Sequence, residues 1–392
     1  MKINKMMKEM LNYFKNVQMK TNTIIHGDSI EMLKTLPEKS INMCMTSPPY
    51  WALRDYGDGN SQVLGGRKDC EHDFRIIENK NPNDRGGNSQ FDDKGIGAFM
   101  GEEVTTKPNL SGFCNKCNAW KGQLGLEPTF DLYIKHLCDI FDEVKKVLRD
   151  NGTCWVNLGD NYIGGGGGNY GSGISSKQGD SHETNMKNRP EFIKANKIQS
   201  KSLTMIPFRF AIEMVNRGWI LRNTIIWHKP SCMPSSVKDR FTVDFEYLFF
   251  FSKKKKYYFE QQLDKTITKD NTIRDRDTTK LNNTPGRTRM GGLNINDYDL
   301  KNKRTVWTIN PKPFKEAHFA VYPEELCETP VKAGCPEGGI VLDPFFGSGT
   351  TGLVALKQNK KFIGIELNKK YIEIANKRLL PHLEQTKLTK NV

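Results

Sequence analysis

Residues 45–51 read MTSPPYW and follow the apolar run INMCM, so a short buried strand leads at once into a rigid, aromatic corner. Two consecutive prolines hold φ near about −65° and remove two backbone donors, which prevents the strand from continuing in a sheet. The carbonyl groups of the corner then face whatever lies beyond the strand end. Such rigidity exceeds what a simple turn requires, and we interpret the corner as a functional loop.

A second stretch with the composition of a ligand site is 338–368, GGIVLDPFFGSGTTGLVALKQNKKFIGIELN. An apolar run ends in Asp343, a glycine-rich turn leads into a helix, and a second apolar run ends in Glu366. Nucleotide-binding βαβ units have this order, with a ribose-binding carboxylate about 20 residues beyond the glycines, and Glu366 follows Gly347 by 19 residues. A glycine turn without a ligand is the alternative. Because no Lys follows the glycines as in a P-loop, a triphosphate is disfavoured.

Two close pairs of metal-ligating residue types lie in a polar, glycine-rich segment: Cys70 with His72, and Cys114 with Cys117. Thiolate and imidazole are ligands of tetrahedral structural zinc, and the second pair has zinc-knuckle spacing. The segment has few large apolar residues, so a metal would supply order that a core cannot. We expect a structural zinc site here. Four unlinked residues and a redox-active cysteine pair are the alternatives.

The elements that must position these residues alternate between strands and helices, which indicates a layered α/β domain. A helix is predicted between Thr129, a suitable N-cap, and Asn151-Gly152, a suitable end. The other predicted elements are the strands 23–28, 41–45, 152–160, WILRNTIIWHKP and DFEYLFFFS, and the helices 29–40 and 204–216.

Composition divides the chain into one main domain with additions. Residues 57–125 are polar and weakly periodic, and the tract SKKKKYYFE begins a basic, polar region that lasts to about residue 304. The glycines of 164–173 predict local mobility. We assign 1–20 to an N-terminal extension, 21–56, 126–259 and 306–385 to the main domain, 57–125 to an insertion with the expected zinc site, and 260–305 to a separate basic segment.

The chain is basic, with 59 Lys and Arg against 45 Asp and Glu among 392 residues and a net charge of +14. This balance favours a polyanionic partner such as nucleic acid, although basic proteins without one are common. The nine scattered cysteines do not form a secreted disulfide framework, and the apolar runs are too short for a bilayer span or a signal peptide. We expect a cytoplasmic protein without a membrane partner.

Together, MTSPPYW and VLDPFFGSGTT resemble the S-adenosylmethionine-dependent DNA amino-methyltransferases, which modify exocyclic nitrogens of adenine or cytosine. The family's catalytic loop reads Asp/Asn/Ser-Pro-Pro-aromatic and its cofactor loop reads Phe-x-Gly-x-Gly. The catalytic motif comes first here, which is similar to the permuted order known as the β class. HGDSIEML, IIWHKP and HFAVYPEEL extend the resemblance. It implies a Rossmann-like, seven-stranded methyltransferase sheet with a small inserted subdomain.

The resemblance also implies residue roles. The catalytic loop would be Ser47, Pro48, Pro49 and Tyr50, in which the Ser47 hydroxyl and Pro48 carbonyl accept the amino hydrogens and Tyr50 stacks on a flipped base. Trp51 and Trp227 are candidates for the base pocket, and Trp227 suits a core equally well. The candidates for binding S-adenosylmethionine are Asp28, Asp343, Pro344, Phe345, Gly347, Gly349, Thr350 and Glu366.

Within that set, Asp28 would contact the adenine moiety and Glu366 the ribose, and Asp28 is also suited to cap a helix. His318 and Pro323 lie in the segment that family members use near the methionine end. The resemblance places a target-recognition segment at 260–305, with a basic linker as the alternative. The expected partner is double-stranded DNA, and a cognate restriction endonuclease is a further candidate.

The residue before Pro-Pro bears on the target base. Family members with Ser there more often methylate cytosine N4, and those with Asp more often methylate adenine N6. Ser47 therefore favours cytosine N4, with adenine N6 as the alternative. A protein or RNA methyltransferase is a rival class, although the protein-glutamine enzymes carry Asn at this position. A catalytically silent DNA-binding protein is another rival, against which the intact loops argue.

Overall fold

The computed structural model describes residues 19–53, 60–74, 112–163, 190–265, 300–312 and 322–388. In these ranges the strands are β1 Thr23–His26, β2 Ile41–Thr46, β3 Gln62–Leu64, β4 Gly112–Phe113, β5 Trp120–Gly122, β6 Leu148–Leu158, β7 Ile220–His228, β8 Phe245–Ser252, β9 Leu263–Lys265, β10 Leu300–Asn302, β11 Val306–Thr308, β12 Ile340–Asp343 and β13 Lys361–Glu366. The helices are α1 Ser29–Thr35, α2 Phe130–Val147, α3 Pro190–Ala195, α4 Ile206–Asn216, α5 Glu324–Gly334, α6 Thr350–Lys357 and α7 Lys369–Leu388. None of these helices is both long enough and apolar enough to cross a bilayer.

A central sheet has the strand order β1-β13-β12-β2-β6-β8-β7-β11. All neighbouring strands are parallel except β8, which runs antiparallel to both β6 and β7. The expected α/β class with a large, mostly parallel sheet is confirmed. The sheet has eight described strands rather than the expected seven, because β11 adds to the exposed edge of β7 through the pairs Val306 to Ile226 and Thr308 to His228.

Helices cover both faces of the sheet, and the alternation of strand side chains separates two cores. In β2, Cys44 faces the apolar cluster formed with α1, α2 and α4, whereas Met43 and Met45 face the cluster formed with α5, α6 and α7. All three side chains are fully buried. Burial on both faces explains why β2 reads as a continuous apolar run.

Helix α2 begins at the predicted residue and ends before the predicted end. The Thr129 hydroxyl accepts a hydrogen bond from the Leu132 amide at 3.3 Å, which caps the helix. The expected end at Asn151-Gly152 is wrong, because the helix stops at Val147 and β6 begins at the next residue. Leu148 is fully buried and pairs with Ile41 of β2. Residues 148–151, which the sequence pattern assigned to the helix, therefore belong to strand β6.

Two small sheets lie outside the central one. Strands β3, β5 and β4 form an antiparallel sheet in that order within the expected insertion, and β9 pairs with β10 at the ends of the basic segment. The domain boundaries stay a prediction. The glycine-rich loop 164–173, His318, most of the N-terminal extension and residues 266–299 of the basic segment lie outside the described residues.

Candidate active site

A cavity of about 330 Å³ opens where the parallel strands end. Carboxyl ends of neighbouring parallel strands meet at one edge of a sheet, so the corner after β2 and the glycine turn after β12 come together there. Ten of the residues expected in catalysis, base binding or cofactor binding line this cavity: Ser47, Pro48, Pro49, Tyr50, Trp227, Pro344, Phe345, Gly347, Thr350 and Glu366.

Hydrogen bonds with two neighbouring elements, helix α2 and strand β6, fix the corner at residues 47–50. The Tyr133 hydroxyl on α2 donates to the Pro49 carbonyl at 2.7 Å. The Ser47 hydroxyl donates to Oδ1 of Asn157 at 3.4 Å, and the Asn157 amide nitrogen donates to the Tyr247 carbonyl at 3.1 Å. These contacts orient the Ser47 side chain in the cavity before any substrate arrives.

Tyr50 is fixed at both ends of its side chain. Its hydroxyl donates to Oε2 of Glu246 at 2.6 Å and lies 3.0 Å from Oδ1 of Asn157. Its ring lies against the backbone of Gly159, where an added Cβ would come within 2.6 Å of the ring. Burial and the neighbouring Glu246 raise the pKa of the Tyr50 hydroxyl well above its ordinary value. Tyr50 therefore stays protonated and presents a fixed aromatic surface.

The glycine turn is tied to the carboxylate at the end of β13. The Gly347 amide donates to Oε2 of Glu366 at 2.7 Å, and the Asn368 amide donates to Oε1 at 2.8 Å. Gly347 and Gly349 have φ values of 51° and 81°, which side chains with a Cβ rarely adopt. Burial raises the pKa of Glu366. Each carboxylate oxygen keeps a lone pair, so Glu366 can also accept from a ligand hydroxyl in the cavity.

Asp343 does not line the cavity, although we expected it to bind the cofactor. It is 1% exposed, and its carboxylate accepts from the Thr46 hydroxyl and the Phe345 amide on one oxygen and from the Thr351 and Tyr322 hydroxyls on the other. Burial raises its pKa. Four donors occupy the carboxylate, so Asp343 is a positioning residue that joins the end of β2 to the glycine turn.

Two other expected cofactor residues also lie beside the cavity rather than on its wall. Asp28 caps α1, since its Oδ1 accepts from the Glu31 amide at 3.0 Å. The next residue, Ser29, lines the cavity and donates to the Pro344 carbonyl at 2.7 Å. Gly349 is the N-cap of α6 and packs against Ala375, where an added Cβ would lie at 3.1 Å. An adenine contact for Asp28 stays a prediction.

The two tryptophans expected in the base pocket differ in whether they line the cavity. Trp51 is 1% exposed, donates through its indole nitrogen to the Glu127 carbonyl at 3.0 Å and packs edge-on against Phe130, so it lies in the core and not in the base pocket as expected. Trp227 lines the cavity and donates to the Ile309 carbonyl at 2.9 Å. The ammonium of Lys229 lies 4.4 Å from the centre of its ring. Of the two, Trp227 alone lines the cavity, and it is also 4% exposed and part of the apolar core, so its contact with a base stays a prediction.

Several cavity residues were missed by the sequence reasoning, namely Asn157, Glu246, Lys229 and Tyr322. Glu246 forms an ion pair with Lys229 besides accepting from Tyr50. One signal was available, because Asn157 is a polar residue that follows the buried run Cys154–Val156 near the carboxyl end of β6. Glu246 stands at the start of β8, and only the antiparallel direction of β8 brings that start to the carboxyl edge of the sheet.

The four candidate metal ligands also come together. The ligand atoms of Cys70, His72, Cys114 and Cys117 all lie within 4.8 Å of one another, although 40 or more residues separate the two pairs along the chain. All nine cysteines are free thiols. The grouping is the one that the sequence predicted.

Comparison with known proteins identifies the family of this chain. The model of a DNA methylase family with N6 and N4 members matches residues 41–377. The chain is 33% identical to the Type II methyltransferase M.SmaI of Serratia marcescens and 32% identical to the Type II methyltransferase M.Cfr9I of Citrobacter freundii. Both alignments span 357 residues and cover 91% of this chain, and they cover 90% of M.SmaI and 87% of M.Cfr9I. The solved PvuII DNA methyltransferase (cytosine-N4-specific) matches with a TM-score of 0.50 at 18% identity, over 91% of this chain and 85% of that one. The chain thus belongs to the N6/N4 DNA methylase family and is an S-adenosylmethionine-dependent DNA amino-methyltransferase.

Proposed function

We propose that the chain transfers a methyl group from S-adenosylmethionine to the exocyclic N4 of a cytosine flipped out of duplex DNA. The observation that carries the proposal is the position of Ser47, whose neutral hydroxyl faces the same cavity as the glycine turn. The PvuII enzyme is named cytosine-N4-specific, but at 18% identity its likeness concerns the fold. The choice of base therefore rests on Ser47.

The chemical difficulty is the amino lone pair, which is delocalised into the base ring. Hydrogen-bond acceptors on the two amino hydrogens favour the pyramidal geometry in which that lone pair points at the methyl group. The Ser47 hydroxyl and the Pro48 carbonyl are the acceptors in our proposal, and both residues line the cavity. Asn157 and Tyr133 hold this corner in place, so little reorganisation is needed.

The other half of the cavity fits the cofactor. Glu366 is a carboxylate for ribose hydroxyls, Gly347 lets the backbone approach closely, and Phe345, Ile365 and Tyr371 supply apolar and aromatic wall. When bound, S-adenosylmethionine supplies an electrophilic methyl group on a sulfonium. The new N–C bond forms as the S–C bond breaks, and one amino proton leaves for solvent. The protein residues orient the reactants, and no covalent enzyme intermediate is required.

The surroundings of the cavity suit a flipped base and its duplex. Tyr50 and Trp227 offer two aromatic surfaces, which is how enzymes hold an extruded base. The loop from Lys229 to Asp244 leaves the sheet at the same edge. It exposes Met233 by 89% and Phe241 by 96%, with Lys238 and Arg240 nearby. Exposed apolar groups among cations are suited to contact with unstacked bases and phosphates.

The base assignment has a direct test. We expect DNA methylated by the purified protein, digested to nucleosides and analysed by mass spectrometry, to contain N4-methylcytosine. Detection of N6-methyladenine alone would overturn the cytosine assignment and support the alternative base. Cofactor binding without any methylated nucleoside on DNA that covers all short sequences would support a catalytically silent DNA-binding protein. The same DNA, read by modification-sensitive sequencing, gives the methylated motif.

The contact of Glu366 with the cofactor can be tested separately. We expect Glu366→Gln to weaken binding of S-adenosylmethionine by about tenfold, because a charged acceptor is replaced by a neutral one. Since burial raises the pKa of Glu366, the wild-type affinity should fall as the pH falls through that raised pKa, and Glu366→Gln should lose this dependence. Calorimetry across pH measures both effects, with the exposed Glu337→Gln as the control. Equal affinities in the two variants would remove Glu366 from the cofactor site.

The proposed function also implies two partners, double-stranded DNA and a restriction endonuclease. Curated relatives such as M.SmaI are named Type II methyltransferases, and we propose that this chain likewise protects DNA against a cognate restriction endonuclease. The segment 260–305 remains the proposed target-recognition segment, and its net excess of Lys and Arg suits DNA. The pair β9 and β10 brings the two ends of this segment side by side through three residue pairs.

A further inference from the structure

We propose that Cys70, His72, Cys114 and Cys117 bind one structural zinc ion, and that this ion positions a wall of the active-site cavity. The metal site does not depend on which base is methylated. Its geometry, the backbone that builds it and its connection to the catalytic corner each support the proposal.

Two of the distances between the ligand atoms are close to those of a tetrahedral site, and all four atoms lie within 4.8 Å of one another. Zn–S bonds of about 2.3 Å and Zn–N bonds of about 2.0 Å give tetrahedral edges of about 3.8 Å between two sulfurs and about 3.5 Å between sulfur and nitrogen. Sγ of Cys70 lies 3.9 Å from Sγ of Cys114, and Sγ of Cys117 lies 3.3 Å from Nδ1 of His72. An S···S separation of 3.9 Å is also far too long for a disulfide.

The local backbone is shaped for a bound ion. The Asn118 amide donates to the Cys114 carbonyl at 2.9 Å, and Asn118 has φ of 59°, so residues 114–118 form a tight turn that brings Cys114 and Cys117 together. The Lys116 amide points at Sγ of Cys114 at 3.4 Å. Gly66 passes so close that an added Cβ would lie 2.8 Å from Sγ of Cys117. The turn and Gly66 together hold the Cys117 thiol beside Cys114.

The second ligand pair is tied to this turn. The Asn115 amide donates to the Asp73 carbonyl at 2.7 Å, and the Asn115 side chain donates to the Asp73 carboxylate at 2.9 Å. Phe74 and Cys114 form an isolated β-bridge. The strands β3, β4 and β5 have only two or three residues each, shorter than the usual strand of about five to six residues, so their pairing contributes few backbone hydrogen bonds. A metal ion supplies the missing stability, as in other small metal-bound folds.

The sheet that the ion would stabilise forms part of the cavity. Asn60 and Gln62 on one side, and Gln123 and Leu124 directly after β5, line the cavity beside the catalytic loop. Trp120 of β5 is buried and stacks on His136 of α2, with ring centres 5.8 Å apart. The described part of the insertion is thus docked on the main domain, and four of its residues line the cavity.

The wall is also bonded to the catalytic corner itself. The Ala52 amide donates to the Gly125 carbonyl at 2.7 Å, and an added Cβ on Gly125 would lie 3.0 Å from the Tyr50 carbonyl. Glu127 accepts from the Gly125 amide and from His136, both through its buried carboxylate. From Cys117 to Tyr50 the chain of contacts therefore runs through β5 and residues 123–127. Loss of the ion should loosen the base side of the cavity and leave the cofactor side on β12 and β13 intact.

The test uses the purified 392-residue chain with zinc as the metal probe. We expect metal analysis to find one zinc per chain in wild type and in the control Cys232→Ser, whose thiol lies outside the cluster. The double variant Cys114→Ser/Cys117→Ser should contain none. In that variant the affinity for S-adenosylmethionine should stay within about twofold, and kcat/KM for DNA should fall about tenfold or more, since small misplacements at an active site have effects of this size.

Several results would overturn the proposal. Equal, near-zero zinc in wild type and double variant would remove the metal site, and full zinc in the double variant would remove these ligands. Loss of zinc with unchanged kcat/KM for DNA would remove the positioning role. If the double variant does not fold, the wild-type protein can be treated with a chelator instead. We expect kcat/KM for DNA to fall after removal of zinc and to recover on addition of zinc chloride. An unchanged kcat/KM after removal of zinc would contradict the proposal.

Discussion

Replacing Ser47 by Ala is expected to lower the single-turnover rate of DNA methylation about a hundredfold, the effect of removing one preorganised hydrogen-bonding group from a reacting centre. The hydroxyl is held toward Asn157 at the bottom of the cavity and accepts an amino hydrogen in our mechanism. Its loss leaves the amino lone pair more delocalised into the ring. The affinity for S-adenosylmethionine should stay unchanged, because Ser47 is not among the groups that hold the cofactor.

Transfer of a labelled methyl group to DNA under single-turnover conditions measures this rate, and calorimetry measures the affinity for the cofactor. Ser40→Ala is the matched control, because this hydroxyl donates to the Pro37 carbonyl at 2.6 Å, directly before the start of β2 and away from the cavity. We expect the control to keep the wild-type rate. A rate in Ser47→Ala within about threefold of wild type, well short of the expected effect, would show that the hydroxyl does not contribute to the reaction.

Asp343→Ala should destabilise the protein by about 3 kcal/mol, because it leaves buried donors unpaired. These donors are the Thr46, Thr351 and Tyr322 hydroxyls and the Phe345 amide. The loss should also separate the catalytic corner from the glycine turn, since Thr46 directly precedes Ser47. We therefore expect both the free energy of unfolding and the affinity for S-adenosylmethionine to fall.

Urea denaturation followed by tryptophan fluorescence measures the first effect, and calorimetry measures the second. Asp343→Asn keeps an acceptor of the same shape and should lie between wild type and Asp343→Ala. Asp131→Ala, at a position whose side chain is 82% exposed, should change the free energy of unfolding by no more than about 0.5 kcal/mol. Equal stabilities for Asp343→Ala and Asp131→Ala would mean that the carboxylate does not hold the two loops together.

Much of the fold could be predicted because its signals are local. The apolar runs of β1, β2, β7, β8, β12 and β13 and the periodicities of α2 and α4 all lie within the segments expected. The end of α2 was misplaced, since a long-range pairing of Leu148 with Ile41 competes there with a local turn signal. The edge strand β11 is three residues long and has no local signature that distinguishes it from a loop.

By itself the sequence indicated the two loops that meet at the cavity, their order, the carboxylate at the end of β13 and the two Cys/His pairs that come together, because proline, glycine and cysteine act through backbone geometry or chemistry that is readable over a few residues. Only the tertiary structure decided which side chains face the cavity. Thr46 and Asp343 are 297 positions apart and hydrogen-bonded, Trp51 points into the core one residue after Tyr50, and Glu246 reaches the site because β8 is antiparallel. Side-chain direction depends on strand pairing and packing between distant segments, which local patterns do not encode.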